Sequence, residues 1–249
     1  MKAYLLALKD MLVAALYPFF VLLTRHMQRS GLMLCAYKVP EGSSFQFSST
    51  FAATTPLTAV TNADPAVVTS VGHGYSDDDL VMIQSGWEDI NDSVVKVNQT
   101  AADTWEMVDI NTTSTTLFAA GAGVGTASKI SSWQTIPQVL TIGSQGGDPA
   151  YTDVEPLSKR QGFKIPVGFN AAAIELTLGH DASNAVYKAM LALSRAGTKV
   201  AFRMLLSGGE QSLGYGYLAV SEVPNLTRRQ VNTVKCAITF LGRTVSYDS

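Results

Sequence analysis

Lys199-Val200-Ala201-Phe202-Arg203-Met204-Leu205-Leu206 is the stretch on which the fold turns. Val200, Phe202, Met204 and Leu206 alternate with Lys199, Ala201, Arg203 and Leu205. That is the period of a strand with one face turned to a core. Ile174, Leu176 and Leu178 alternate in the same way with Glu175 and Thr177, and Val234, Cys236, Ile238 and Phe240 with Lys235, Ala237 and Thr239. Cys236 falls in the inward column, which predicts a buried rather than a reactive thiol. Tyr215 to Val220 reads as a further strand. One helix interrupts the series: Asp181 is suited to cap its start and Gly197 to stop it, and Val186, Met190 and Leu193 fall on one face. Upstream, Ser131 to Ile142 reads as extended and broken at Pro137, Gly143 to Pro149 as turn-rich, and Gly162 to Phe169 as a second extended piece. Strands, one helix, then strands predict a mainly β fold, a β-sandwich or open barrel with one flanking helix. Such a sheet has edges, and no run of Lys or Pro guards them, which points to pairing between copies.

Composition narrows the function classes. The chain has 249 residues, 47% of them hydrophobic, and a formal net charge of −2. It is long and apolar enough for real cores, and no strongly basic face suits it to nucleic acid. The charge is unevenly placed. Residues 1–33 carry four Lys/Arg against Asp10, whereas residues 57–129 carry ten Asp/Glu against Lys96 and Lys129 alone. The remainder, 34–56 with 130–249, is mildly basic. A shift of this size predicts three separately specified segments. Two distant cysteines, Cys35 and Cys236, form no disulfide framework and cannot hold zinc by themselves, which suits free thiols in a reducing compartment.

The first segment contains Met11 to Leu23, an apolar run flanked by Lys2, Lys9, Arg25 and Arg29. It is shorter than the ~20 apolar residues of a membrane span. Its length suits a signal-peptide core, but bulky basic residues follow where small ones are needed for cleavage. Two readings remain open. Met27 and Met33 are both candidate starts, and residues 1–32 are an upstream extension before a start at Met33, or they form a membrane-interacting arm or a helix packed on a partner.

Residues 57–129 read as short strands and polar turns. Val67 to Val71, Leu80 to Ile83, Ser93 to Val97 and Thr104 to Val108 are the strands, and Gly121 to Thr126 is a flexible return. The order Asn62-Ala63-Asp64-Pro65-Ala66-Val67-Val68-Thr69, Gly72-His73-Gly74-Tyr75-Ser76-Asp77, Asp79-Leu80-Val81, Ile90-Asn91, Val95-Lys96-Val97 and Thr104-Trp105-Glu106-Met107 resembles the FCCH-type small β domain. That domain is inserted in many phage tail proteins. The family often has Gly where Asp78 stands here. Asp77-Asp78-Asp79 lacks the alternate spacing and closing Glu of a calcium loop and reads as a solvated turn. His73, between two glycines, reads as a turn residue. Gly121-Ala122-Gly123-Val124-Gly125 precedes no helix that could receive a phosphate.

Outside that segment, Lys38-Val39-Pro40-Glu41-Gly42, Trp133 to Gly143, Asp153-Val154-Glu155-Pro156-Leu157 and the run from Ala196 to Arg203 resemble the major tail tube proteins of long, non-contractile phage tails. The resemblance covers 34–56 and 130–249. It implies a β-sandwich body with a flanking helix, six copies in a ring, and rings stacked into a tube that carries DNA during ejection. It implies no catalysis, cofactor or metal. The partners it implies are the chain itself and the tape measure, tail terminator and distal tail proteins, with DNA passing through the lumen without sequence-specific contact. It places the chain in the virion tail, and in the host cytoplasm during assembly. A conduit must not grip DNA, because each phosphate contact adds affinity. The longest basic runs are the pairs Lys159-Arg160 and Arg228-Arg229. These pairs, with Asp153 and Glu155, are the candidate subunit contacts, facing neighbours or the outside. Solvated surface charges are the plainer alternative.

Two other classes fit parts of the sequence. A secreted or surface-anchored adhesin would use Met11 to Leu23 as a signal, and the sequons at Asn98, Asn111 and Asn225 are compatible with it. A hydrolase would need His73 or His180 in a triad, but no Gly-x-Ser-x-Gly elbow is present, and His180 sits beside the start of the helix.

Overall fold

The computed structural model describes residues 41–158 and 160–248. The N-terminal segment, Cys35, the Lys38-Val39-Pro40 motif and Lys159 lie outside them. In chain order the strands are β1 (Ser44–Ser48), β2 (Thr55–Leu57), β3 (Ala59–Val60), β4 (Ala66–Thr69), β5 (Leu80–Ser85), β6 (Ser93–Ala101), β7 (Thr104–Met107) and β8 (Gly125–Lys129). There follow β9 (Gln134–Thr135), β10 (Val139–Gln145), β11 (Pro149–Val154), β12 (Phe163–Phe169) and β13 (Ala173–Gly179). Helix α1 (Ala185–Ala196) precedes β14 (Lys199–Leu205), β15 (Gln211–Val220), β16 (Thr233–Phe240) and β17 (Val245–Tyr247). The described chain is mainly β.

The larger sheet runs β10-β13-β16-β15-β14-β1-β9, with β17 added to β15, and its pairings are antiparallel. Its two edge strands, β9 and β10, are consecutive in sequence and separated only by Ile136, Pro137 and Gln138. So short a link holds the edges close, because each residue spans at most ~3.6 Å. The sheet therefore curls into an open barrel. The alternating columns fill it: Val200, Phe202, Leu176, Leu178, Val234, Cys236, Ile238 and Phe240 join Phe45, Phe47 and Ile136 in one cluster. Cys236 is fully buried there, and burial pushes its thiol pKa up to about 12.

Helix α1 covers one end of this barrel. Met190 and Tyr187 are buried in the same cluster, with Val186, Leu191 and Leu193 against its margin. The Val220 N–H at the end of β15 donates to Ser194 Oγ at 3.0 Å, which pins the helix to the sheet. The start of the helix differs from expectation. Asn184, not Asp181, is the cap, accepting from the N–H groups of Val186 and Tyr187. Asp181 instead accepts from the N–H and hydroxyl of Ser183. Asp and Asn both favour such local acceptor roles, so composition alone does not choose between them. Gly197 stops the helix with φ +60°.

The smaller sheet runs β2-β8-β5-β6-β7-β4-β3 around Trp87, Trp105, Ile83, Val95 and Met107. The consecutive aspartates Asp77, Asp78 and Asp79 serve as turn supports. Asp77 accepts from Gln99 N–H at 2.7 Å, Asp78 pairs with Lys96 at 2.7 Å, and Asp79 pairs with Lys129 and accepts from Ser76 N–H. Asp78 occupies the left-handed region, φ +66°, so the residue standing where the FCCH family often has glycine adopts the glycine conformation. His73 Nδ1 accepts from Tyr75 N–H at 3.0 Å, a local turn contact.

The chain leaves and re-enters the larger sheet at one place. Phe51 bridges Ile130, Ala52 N–H donates to Lys129 C=O, and Ser131 N–H donates to Thr50 C=O. A third cluster joins the sheets: Leu80, Met82 and Val94 pack with Ala201, Leu213, Tyr215 and Tyr247. Ala201, between Lys199 and Arg203 on the nominally outward face of β14, is consequently buried beneath the smaller sheet. Tyr247 Oη accepts the Lys96 N–H at 3.0 Å, and burial pushes the phenol pKa up to about 12. Arg243 approaches Asp89 at 3.5 Å and Lys199 approaches Asp92 at 3.9 Å across the same junction.

Candidate subunit interface

Beyond the last residues of β10 and before β13, the chain extends as the β11–β12 hairpin, paired from Pro149↔Phe169 to Val154↔Phe163. Among the described residues these two strands pair with no third strand. None of their residues belongs to any of the three clusters. An isolated hairpin is marginal in water. Exposure along β12 makes the deficit specific. Phe163, Ile165, Val167 and Phe169 are 46%, 44%, 61% and 75% exposed; Phe163 and Ile165 share one face, while a register shift at Val167 puts Phe169 on the face of Lys164 and Pro166. Tyr151 and Leu157 are exposed beside them, and Leu140 and Ile142 are exposed on the edge strand β10. Exposed apolar residues gathered in this way are candidates for an interaction surface.

The candidate charged contacts separate into two groups. Asp153 lies on β11 and approaches Lys164 across the hairpin at 3.6 Å, both side chains 68% exposed. Glu155 and Arg160 are exposed in the loop that closes the hairpin. Arg228 and Arg229 lie elsewhere, in the exposed loop between β15 and β16, where Arg229 adopts φ +66°. Val223, Leu226 and Val231 are exposed on that loop. Sequence reading picked out the charges and passed over the apolar residues between them. Their signal was available, since Phe163, Ile165, Val167 and Phe169 alternate as strictly as the core strands do.

Of the described histidines, His73 makes the turn contact already given. His180 stacks edge-on against Tyr187 at 5.5 Å, and its backbone N–H donates to Asn232 C=O. Among the described residues no group of three or more His, Cys, Asp or Glu is placed to hold a metal ion, and no helix is long and apolar enough to cross a membrane.

Residues 85–249, from the last position of β5 onward, match the phage tail tube protein (TTP) family. The chain belongs to this family. It is a family of structural tail proteins that assemble into stacked tubes, not of enzymes, and it places this protein in the virion tail. No curated protein matches the chain. Among solved structures it is similar to the SPP1 tail tube, determined by solid-state NMR and cryo-EM. The identity is 15% and the TM-score 0.38, over 47% of this chain and 69% of that one.

Proposed function

We propose that six copies of this chain form a ring, and that stacked rings make the tube of a long, non-contractile tail through which DNA leaves the capsid. The observation that carries this reading is the pair of free sheet edges, β9 and β10, held side by side with the uncovered β11–β12 hairpin. A strand edge is a template for another strand, and one repeated heterologous contact that closes by rotation makes a ring without free edges. The tail terminator, tape measure and distal tail proteins are its partners at the ends and inside the tube. The sheet from β2 to β8 is an inserted, acidic ornament on the outer surface. Arg228 and Arg229 face a neighbour or the outside, which keeps cationic pairs off the passing DNA.

Negative-stain microscopy of the concentrated protein tests this reading. Rings or tubes of regular diameter are the expected result, and monomers at every concentration would refute it. Arg228→Glu with Arg229→Glu should shorten the tubes or lower their yield. Unchanged length and yield would place these arginines in solvent.

A further inference from the structure

Strand β15 brings little volume to one layer of the barrel. Its inward column runs Ser212, Gly214, Gly216, Leu218, Val220, set by the pairs Met204↔Ser212, Phe202↔Gly214 and Val200↔Gly216. The two glycines add no side chain where the neighbouring strands supply rings and branched groups. Phe240 takes part of that space, since a Cβ on Gly214 would collide with its ring. The rest is an apolar cavity of about 210 Å³. Phe45, Ile174, Phe202, Met204, Ile238 and Phe240 form its walls. It lies at the end of the barrel away from α1: Leu178 meets Tyr187 and Met190 at the helix end, and Ile174 is four residues away along β13.

We propose that this cavity binds a small, uncharged aromatic molecule, and that the bound ring stiffens the base of the β11–β12 hairpin. The site goes beyond the tube reading and does not depend on it. An apolar cavity of ~150 Å³ takes up benzene. The larger volume here has room for a ring carrying a short alkyl group. The walls suit a ring by their geometry as well. Phe202 and Phe240 already meet edge to face, with centroids 6.2 Å apart, and Met204 offers a thioether, which packs well against aromatic edges. The polar neighbours are engaged elsewhere. Arg203 borders the cavity, but its guanidinium lies over the Trp133 ring at 4.6 Å and donates to Gln46 Oε1 at 2.9 Å. Ser212 Oγ is hydrogen-bonded to Ser246 Oγ at 2.8 Å. A charged ligand would therefore give up its hydration without gaining a partner.

The coupling to the hairpin follows from which residues border the cavity. Ser144, Gln145 and Gly146 at the end of β10 and Ala172 and Ala173 at the start of β13 are among them. The chain leaves this border directly into the hairpin: Gly147 N–H donates to Asn170 C=O at 3.2 Å, and Asn170 N–H to Asp148 C=O at 2.9 Å. Local opening at these two bonds pulls part of the cavity border away. A ligand held by that border binds the closed form alone and opposes the opening by mass action.

Toluene is the probe, with benzoate as its charged counterpart. In the wild-type chain labelled at its methionine methyl groups, magnetisation transfer from toluene should reach Met204 and not Met107, which is buried in the smaller sheet. Transfer to no methionine, or to Met107 as strongly as to Met204, would overturn the site without recourse to any variant. Benzoate should bind more weakly than toluene by about tenfold or more, and equal affinities would overturn the ligand class. Ile174→Phe adds a ring to the cavity and should weaken toluene binding by about tenfold or more. Wild-type affinity in folded Ile174→Phe would place toluene elsewhere on the molecule. At about ten times the toluene dissociation constant, hydrogen exchange of the Gly147 and Asn170 amides should slow by about tenfold, while the Tyr75 amide in the smaller sheet keeps its rate. No slowing at the hairpin base, or equal slowing at Tyr75, would overturn the coupling.

Discussion

Tyr247→Phe probes the junction between the two sheets, and its effect should depend on pH in a calculable way. The phenol oxygen accepts the Lys96 N–H at 3.0 Å and the residue is 2% exposed. Near neutral pH the substitution leaves that buried N–H without its acceptor, at a cost of about 1–3 kcal/mol. Raising the pH changes the comparison. Burial pushes the Tyr247 pKa from 10.0 up to about 12 in the folded chain. The folded state thus keeps the proton longer than the unfolded state, so stability falls as pH rises above 10. At pH 11 the unfolded phenol is mostly ionised and the folded one is not, which costs the wild type about 1.4 kcal/mol. Phenylalanine has no such titration. The stability gap between wild type and Tyr247→Phe, read from urea unfolding at pH 8 and pH 11, should shrink by about 1.4 kcal/mol. Cys236 and the other tyrosines titrate in both proteins and cancel. A gap that stays constant to within 0.3 kcal/mol, roughly the limit of additive behaviour, would refute the account of Tyr247 as a buried, hydrogen-bonded phenol.

Two further substitutions test local chemistry. Asn184→Ala should cost about 1 kcal/mol in thermal or urea unfolding, because two helix N–H groups lose their acceptor, and Asp181→Ala should cost clearly less. Asp78→Gly should leave stability within about 0.5 kcal/mol of wild type, since glycine suits φ +66° and the exposed pair with Lys96 contributes little. Asp78→Val should cost about 1–2 kcal/mol at the same position.

The core strands were legible because one face of each meets a core, and alternation records that directly. β13, β14 and β16 fall where the alternating columns put them, and α1 lies where its apolar stripe does. The short strands β9 and β17 carry two and three residues, too few for a period to register. β11 was missed because its exposed residues show no apolar column of their own. Ala201 shows a different limit. Its face of β14 reads as solvent-facing in the local pattern, yet it lies under the smaller sheet, whose strands are distant in sequence. The candidate interface was half legible for a related reason. Charged pairs attract notice, whereas alternating apolar residues look like core until a structure shows them exposed.

The bridge between Phe51 and Ile130 gives the larger sheet a seam at which the smaller one could be cut away with almost no change of path. Removing it would still be costly, because Leu213 and Tyr215 would lose their cover, about 1.5–3 kcal/mol for the leucine alone. Connection and dependence have come apart here.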